Sequence, residues 1–223
     1  MTTTALFDLD GTLVDTPRGI VETFTAAFTA MGLEAPRPED IRATIGLPLE
    51  RAFGSLMGVA PDDERVPEAI RQYQSLFREI VLPKAADLLF PGVADGLTAL
   101  RDQGITLTVA TSKFYASADA LLTAAGIRDH FVMVVGADQV SHPKPHPESG
   151  LVILRELGVP GEDAVMVGDT THDLLMARAC GMPSIGVTYG VHREAELRTA
   201  EPTWLADTFD DVLARIAPVT ARA

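Results

Sequence analysis

The chain has 223 residues, enough for one large domain or for one domain carrying an inserted module. Apolar residues make up 47% and charged residues 22%, the balance of a globular chain and not of a disordered one. The formal net charge of −13 repels phosphate backbones and speaks against nucleic-acid binding through a basic surface.

Cys180 is the single cysteine, so no intrachain disulfide can form and a reducing, cytoplasmic setting is expected. The first residues, MTTTALFDLDGT, carry no basic segment and no long apolar run, so no signal peptide is expected. No window approaches the ~20 apolar residues of a membrane span, and no membrane partner is expected.

Along the chain, Ala5-Leu6-Phe7 is a short apolar run that stops at Asp8 before Gly11, the pattern of a buried strand ending in a turn. Thr16-Pro17 has the form of a helix N-cap with proline at the first helical position. Ile20, Val21, Phe24, Ala27, Phe28 and Met31 then recur at helical spacing, and Gly32 closes the run. Pro36 to Pro38 form a break, followed by helical patterns at 39–45, 48–57 and 66–80. No strand signal falls between about 17 and 84, which reads as an all-helical insert. Arg71, Tyr73 and Arg78 in this stretch are expected at its solvated surface.

From Pro91 onward the pattern alternates. Helices are predicted at 93–103, 117–125, 147–157 and 172–180, and strands at 106–110, 131–135, 164–167 and 184–187. Gly104, Gly126, Gly158 and Gly181 each close a helix before the next strand. Regular alternation with apolar strands predicts a parallel sheet covered on both faces. The expected fold class is α/β, a Rossmann-like parallel core at 1–16 and 85–223 with a helical cap at 17–84. Ligands of such sheets bind at the carboxyl ends of the strands.

Those ends hold the chemistry. The first strand ends in Asp8-Leu9-Asp10, and residues i and i+2 of an extended chain point the same way. The second ends in Thr111-Ser112-Lys113, two hydroxyls before a helix, a pattern suited to an anion. After the third comes His142-Pro143-Lys144-Pro145-His146-Pro147, where three prolines limit where the Lys144 ammonium can go. The fourth ends in Gly168-Asp169, with Asp173 one helical turn on. Singly, each is commonly a solvated turn or an ordinary helix cap; together they converge on one sheet edge. Four carboxylates disfavour one another's ionisation. A hard divalent cation such as Mg²⁺, which takes oxygen ligands and substrate phosphate, resolves this. A carboxylate nucleophile, a second carboxyl moving the leaving-group proton, and lysine plus metal facing the developing charge make a phosphoryl-transfer set.

The stretches DLDGT at 8–12, TS at 111–112, KP at 144–145 and GDTTHD at 168–173 resemble the haloacid dehalogenase superfamily, in that family's order and over nearly the whole chain. DLDGTLVDT, the strand end TSK at 111–113, HPKPHP, GDTTHD and the GVTYG at 186–190 look most like its phosphoglycolate phosphatase-like subgroup. The resemblance implies Asp8 as nucleophile, Asp10 as general acid/base, and Thr111 with Ser112 as binders of the phosphoryl group. Lys144 would orient and neutralise Asp8. Asp169 would hold Mg²⁺ beside Asp8 and the backbone carbonyl of Asp10, with Asp173 contributing through water or directly. A cap loop closing over substrate would fall at Gly46-Leu47-Pro48-Leu49, near Arg51; an ordinary helix–helix turn reads equally well there.

The expected activity is hydrolysis of a small phosphomonoester, 2-phosphoglycolate being the modal substrate of the subgroup, with nucleotides, pyrophosphate and sugar phosphates open. A sugar-phosphate phosphomutase would use the same two aspartates. A dehalogenase has no use for Asp10. A phosphoacceptor signalling domain is shorter and lacks both the second acid and a cap. The partner expected is a small phosphorylated metabolite; no apolar stripe is left over from which an oligomeric state could be read. His142 and His146 read as surface loop residues, because the prolines between them exclude a helix. His172, beside Asp173, reads as an exposed first-turn residue with contact to the site as the alternative, and Cys180 is expected to pack in the core.

Overall fold

A computed structural model describes residues 3–220, with side chains to residue 216; the first two and last three residues of the expected core range lie outside the described residues. Strand β1 (Thr4–Phe7) is buried along its whole length. It pairs in parallel with β2 (Thr106–Ala110) on one side and β4 (Ala164–Gly168) on the other, Phe7 lying level with Val109 and Val167. Outside these run β3 (Met133–Val135), β5 (Ser184–Val187) and β6 (Trp204–Ala206). The described strands form one parallel sheet in the order β3-β2-β1-β4-β5-β6. The strand order reverses beside β1, the place where an open α/β sheet splays its loops apart into a crevice. The expected α/β class is borne out.

Five helices flank the strands: α5 (Val93–Asp102), α6 (Tyr115–Ala124), α7 (Glu148–Leu157), α8 (Thr171–Ala179) and α10 (Phe209–Thr220). Phe209 of α10 packs 6.1 Å from Phe7, and Phe131 meets the same ring edge-on at 6.3 Å. Phe131 was expected inside the third strand, which begins two residues later; its backbone turns, and its ring fills the core instead. α6 starts two residues ahead of the sequence pattern because the Asp138 carboxylate accepts the Tyr115 N–H at 2.7 Å. That carboxylate comes from 23 residues along the chain. The stretch after Val187, unassigned from periodicity, adds α9 (Glu194–Thr199) as well as β6 and α10.

Between β1 and β2 lie α1 (Pro17–Ala30), α2 (Pro38–Arg42), α3 (Leu49–Met57) and α4 (Val66–Ile80), then a 3₁₀ turn at Leu82–Leu88. Pro17 opens α1 as expected, but Thr16 does not cap it with its side chain. α1, α3 and α4 meet through Phe24, Phe53 and Tyr73, with ring centroids 4.6–6.1 Å apart. Tyr73 is therefore buried, not solvated: it shares one face of α4 with Ile70 and Phe77, and that face closes onto α1. Arg71 does stay exposed, paired with Glu68. The two chain crossings into this helical stretch lie side by side, with Asp15 N–H donating to Leu88 O at 2.7 Å and Phe90 N–H to Leu13 O at 3.1 Å. Among the described residues, no helix is long and apolar enough to cross a membrane.

Candidate active site

Asp8 follows β1 directly, and its N–H still donates to Val167 O at 2.9 Å, so the carboxylate is set at the centre of the sheet's carboxyl edge. It is 5% exposed. Lys144 reaches it from the loop after β3, its Nζ donating to Asp8 Oδ1 at 2.8 Å, to Ala110 O at 2.9 Å and to Asp173 Oδ1 at 2.5 Å. All three donors of the ammonium are thereby used. Burial works against that charge, but Asp173 and Asp8 outweigh it and hold the ammonium above the ordinary lysine range.

Asp169, one residue past β4, is fully buried. It accepts from Thr12 Oγ1 at 3.1 Å and from the Val191 N–H at 2.7 Å. The latter bond requires the chain at Gly190 to press close, and a methyl group there would overlap the Asp169 side chain. Asp173 serves two neighbours: Oδ1 accepts from Lys144, while Oδ2 accepts from the Thr170 N–H at 3.0 Å and from Thr170 Oγ1 at 2.7 Å, boxing the start of α8.

Carboxylate oxygens of Asp8, Asp169 and Asp173 lie within 4.8 Å of one another, all buried. Burial pushes the Asp8 carboxyl up to about 7 against the pull of Lys144, and burial followed by the charge of Asp8 raises Asp169 well above the usual carboxylate range. Three crowded carboxyls facing one ammonium fit a hard divalent cation, because hard cations take carboxylate oxygen and supply the missing charge.

Asp10 stands apart from this trio. Its carboxylate accepts from Thr16 Oγ1 at 2.5 Å and from Lys113 Nζ at 2.9 and 3.2 Å. Thr16, expected to cap α1, is spent on this bond instead. Sequence reasoning missed Thr16, Lys113, Thr12 and the Val191 N–H as parts of the site. Thr12 and Thr16 lie in the DLDGTLVDT stretch and Lys113 closes Thr111-Ser112-Lys113, but nothing in the sequence tied Thr16 or Lys113 to Asp10, and Val191 falls just past the GVTYG stretch.

Asp8 and Asp10 both line a pocket between the sheet edge and the helices above it, together with Thr111, Ser112, Lys113 and Gly46. The Thr111 hydroxyl accepts the Lys113 N–H at 3.2 Å, and Ser112 Oγ is buried without a partner. The helix behind them offers less to an anion than the sequence suggested, since Asp138 takes the Tyr115 N–H. Gly46 has a φ of +95° and rests on α8, where a Cβ would lie 3.1 Å from Thr170 Cγ2 and 3.4 Å from His172 Nδ1. Arg51 is exposed on α3, outside the lining. His172, expected at the surface, is half-buried beneath Gly46 with its Nδ1 unpartnered. His142 and His146 are exposed, and the proline loop brings their rings 4.6 Å apart beside Glu148. Cys180 is half-buried, its Sγ 3.4 Å from Pro147 O.

A family model described as haloacid dehalogenase-like hydrolase matches residues 5–187. The chain is 56% identical over 208 residues to a Dickeya dadantii protein described as "Probable phosphatase IndB", covering 93% of this chain and 90% of that one. It is 35% identical over 225 residues to the phosphoglycolate phosphatase of Salmonella paratyphi A, covering 93% and 89%. Among solved structures it superposes on a haloacid dehalogenase-like family hydrolase of Streptococcus pneumoniae with a TM-score of 0.80 at 30% identity, covering 96% and 97%. CbbY of Rhodobacter sphaeroides in complex with phosphate gives 0.80 at 28%, covering 95% and 96%.

Proposed function

The chain belongs to the haloacid dehalogenase-like hydrolase family and is a phosphoric monoester hydrolase, and we propose that it hydrolyses a small phosphorylated metabolite with Mg²⁺ by way of a phosphoryl group carried on Asp8. The observation that carries this reading is the Asp8 carboxylate. It directly follows the central strand, is held by Lys144 through one oxygen, and lines the pocket.

In the first step an Asp8 oxygen attacks phosphorus as the bond to the leaving oxygen breaks, and Asp10 gives that oxygen a proton. In the second, Asp10 takes a proton from water, which attacks phosphorus and releases Asp8. Lys144 holds Asp8 in orientation and balances its charge. Thr111 and Ser112, which both line the pocket, offer hydroxyls to the phosphoryl oxygens. Asp8, Asp169 and Asp173 would hold the magnesium ion. Bound there, Mg²⁺ supplies positive charge against the transferring group.

The test is phosphate release from a panel of phosphorylated metabolites, with and without Mg²⁺, by the wild-type chain and by Asp8→Asn. Turnover that needs both Mg²⁺ and Asp8 is expected. Full activity of Asp8→Asn, or turnover in excess EDTA, would overturn the assignment. Phosphoglycolate, named in the 35% relatives, belongs in the panel.

A further inference from the structure

The pocket above Asp8 is walled by apolar side chains. From the helical stretch Ile20, Phe24, Leu49, Tyr73 and Phe77 line it, beside Gln74. Phe24, Tyr73 and Phe77 form one aromatic wall, with successive centroids 4.6 and 5.9 Å apart. Lys113 is the only cation among the described residues lining the pocket. Its ammonium is already committed, donating to both oxygens of Asp10 and standing 4.2 Å over the Phe77 ring.

A substrate whose phosphoryl group meets Asp8 and whose leaving oxygen meets Asp10 must place the rest of its body against this wall. A second anionic group there would lose its water and find no uncommitted cation, which is unfavourable. A neutral ring loses little hydration, gains contact with the aromatic side chains, and can hydrogen-bond to the Gln74 amide or the Tyr73 hydroxyl. Burial, and then the charge of Asp10, hold Tyr73 in its protonated form.

We propose that the substrate of this site is the phosphate monoester of an uncharged, ring-bearing alcohol, its ring lodged among Phe24, Tyr73 and Phe77. The proposal rests on the reading of Asp8 as the phosphoryl acceptor. It favours a substrate without the carboxylate that phosphoglycolate carries.

The experiment compares kcat/KM of the full chain with Mg²⁺ for benzyl phosphate, 2-hydroxyethyl phosphate and 2-phosphoglycolate. All three have alkyl leaving groups, so the comparison reads the pocket and not an activated phenol. Benzyl phosphate is expected about tenfold above 2-phosphoglycolate (~1.4 kcal/mol), with 2-hydroxyethyl phosphate between them. Gln74→Arg, which adds a cation to the lining, is expected to narrow or reverse that ratio. Equal or reversed rates in the wild type overturn the substrate class and leave the Asp8 chemistry standing, because Asp8→Asn still abolishes turnover. Failure of all three esters, and of the wider panel, overturns the hydrolytic reading and the substrate class with it.

Discussion

Lys113 donates from Nζ to both carboxylate oxygens of Asp10 while standing 4.2 Å over the ring of Phe77. One ammonium thus joins the sheet edge to helix α4. Breaking a buried pair from one side leaves the partner charge uncompensated. Lys113→Met is therefore expected to cost about 3 kcal/mol in urea unfolding and to lower kcat. Lys113→Met combined with Asp10→Asn is expected to lose less than the two single changes summed, with a coupling of ~1–3 kcal/mol. Strict additivity of the two would show that the pair is not coupled.

When ionised, the trio Asp8, Asp169 and Asp173 carries more negative charge than Lys144 neutralises. Mg²⁺ that binds the folded chain and not the unfolded one raises its stability, by about 2.7 kcal/mol at a hundred times the dissociation constant. A higher Tm in Mg²⁺ than in EDTA is expected for the wild type, and the difference should disappear in Asp169→Asn. An unchanged Mg²⁺ shift in that variant would remove Asp169 from the cation site.

Gly190 lets the Val191 N–H reach Asp169 Oδ2 at 2.7 Å. Gly190→Ala puts a methyl group where the Asp169 side chain already lies. The carboxylate must move, and the Mg²⁺ concentration at half-maximal stabilisation is expected to rise roughly tenfold, as for other groups that orient a metal ligand. Far-ultraviolet circular dichroism should remain that of the folded chain. Unaltered Mg²⁺ dependence would mean that the loop yields instead.

Burial pushes the Cys180 thiol up to about 11. Because the thiolate is the reactive form, only on the order of one molecule in a thousand is reactive at pH 8. Reaction with a disulfide reagent should be slow in the native protein and rise about tenfold per pH unit toward pH 11. Unfolding in urea at pH 8 should speed it. Rapid native labelling at pH 8 would show that the thiol is not held up by its surroundings.

Asp8, Thr111, Lys144 and Asp169 could be read from the chain because each stands at or just past the end of an apolar run or in a loop between two such runs. Parallel alternation brings those ends to one edge whatever the details of packing. Helix periodicity in the insert was legible for the same reason: an apolar face at 3.6-residue spacing is a local property. Contacts between distant segments were not. Lys113 meets Asp10 across 103 residues because β1 and β2 are neighbours in the sheet. It meets Phe77 because α4 lies over that edge. Tyr73 looked like one polar-tipped residue on an exposed helix until α1 and α3 supplied the partners that bury it. Asp138 starts α6, and Thr16 leaves its own helix for Asp10, by the same kind of choice. The order of residues along the chain determined the strand ends and the chemistry they carry. Strand order and the seating of the helices decided which of those groups are paired and which face the pocket, because hydrogen bonds and burial depend on distance in space.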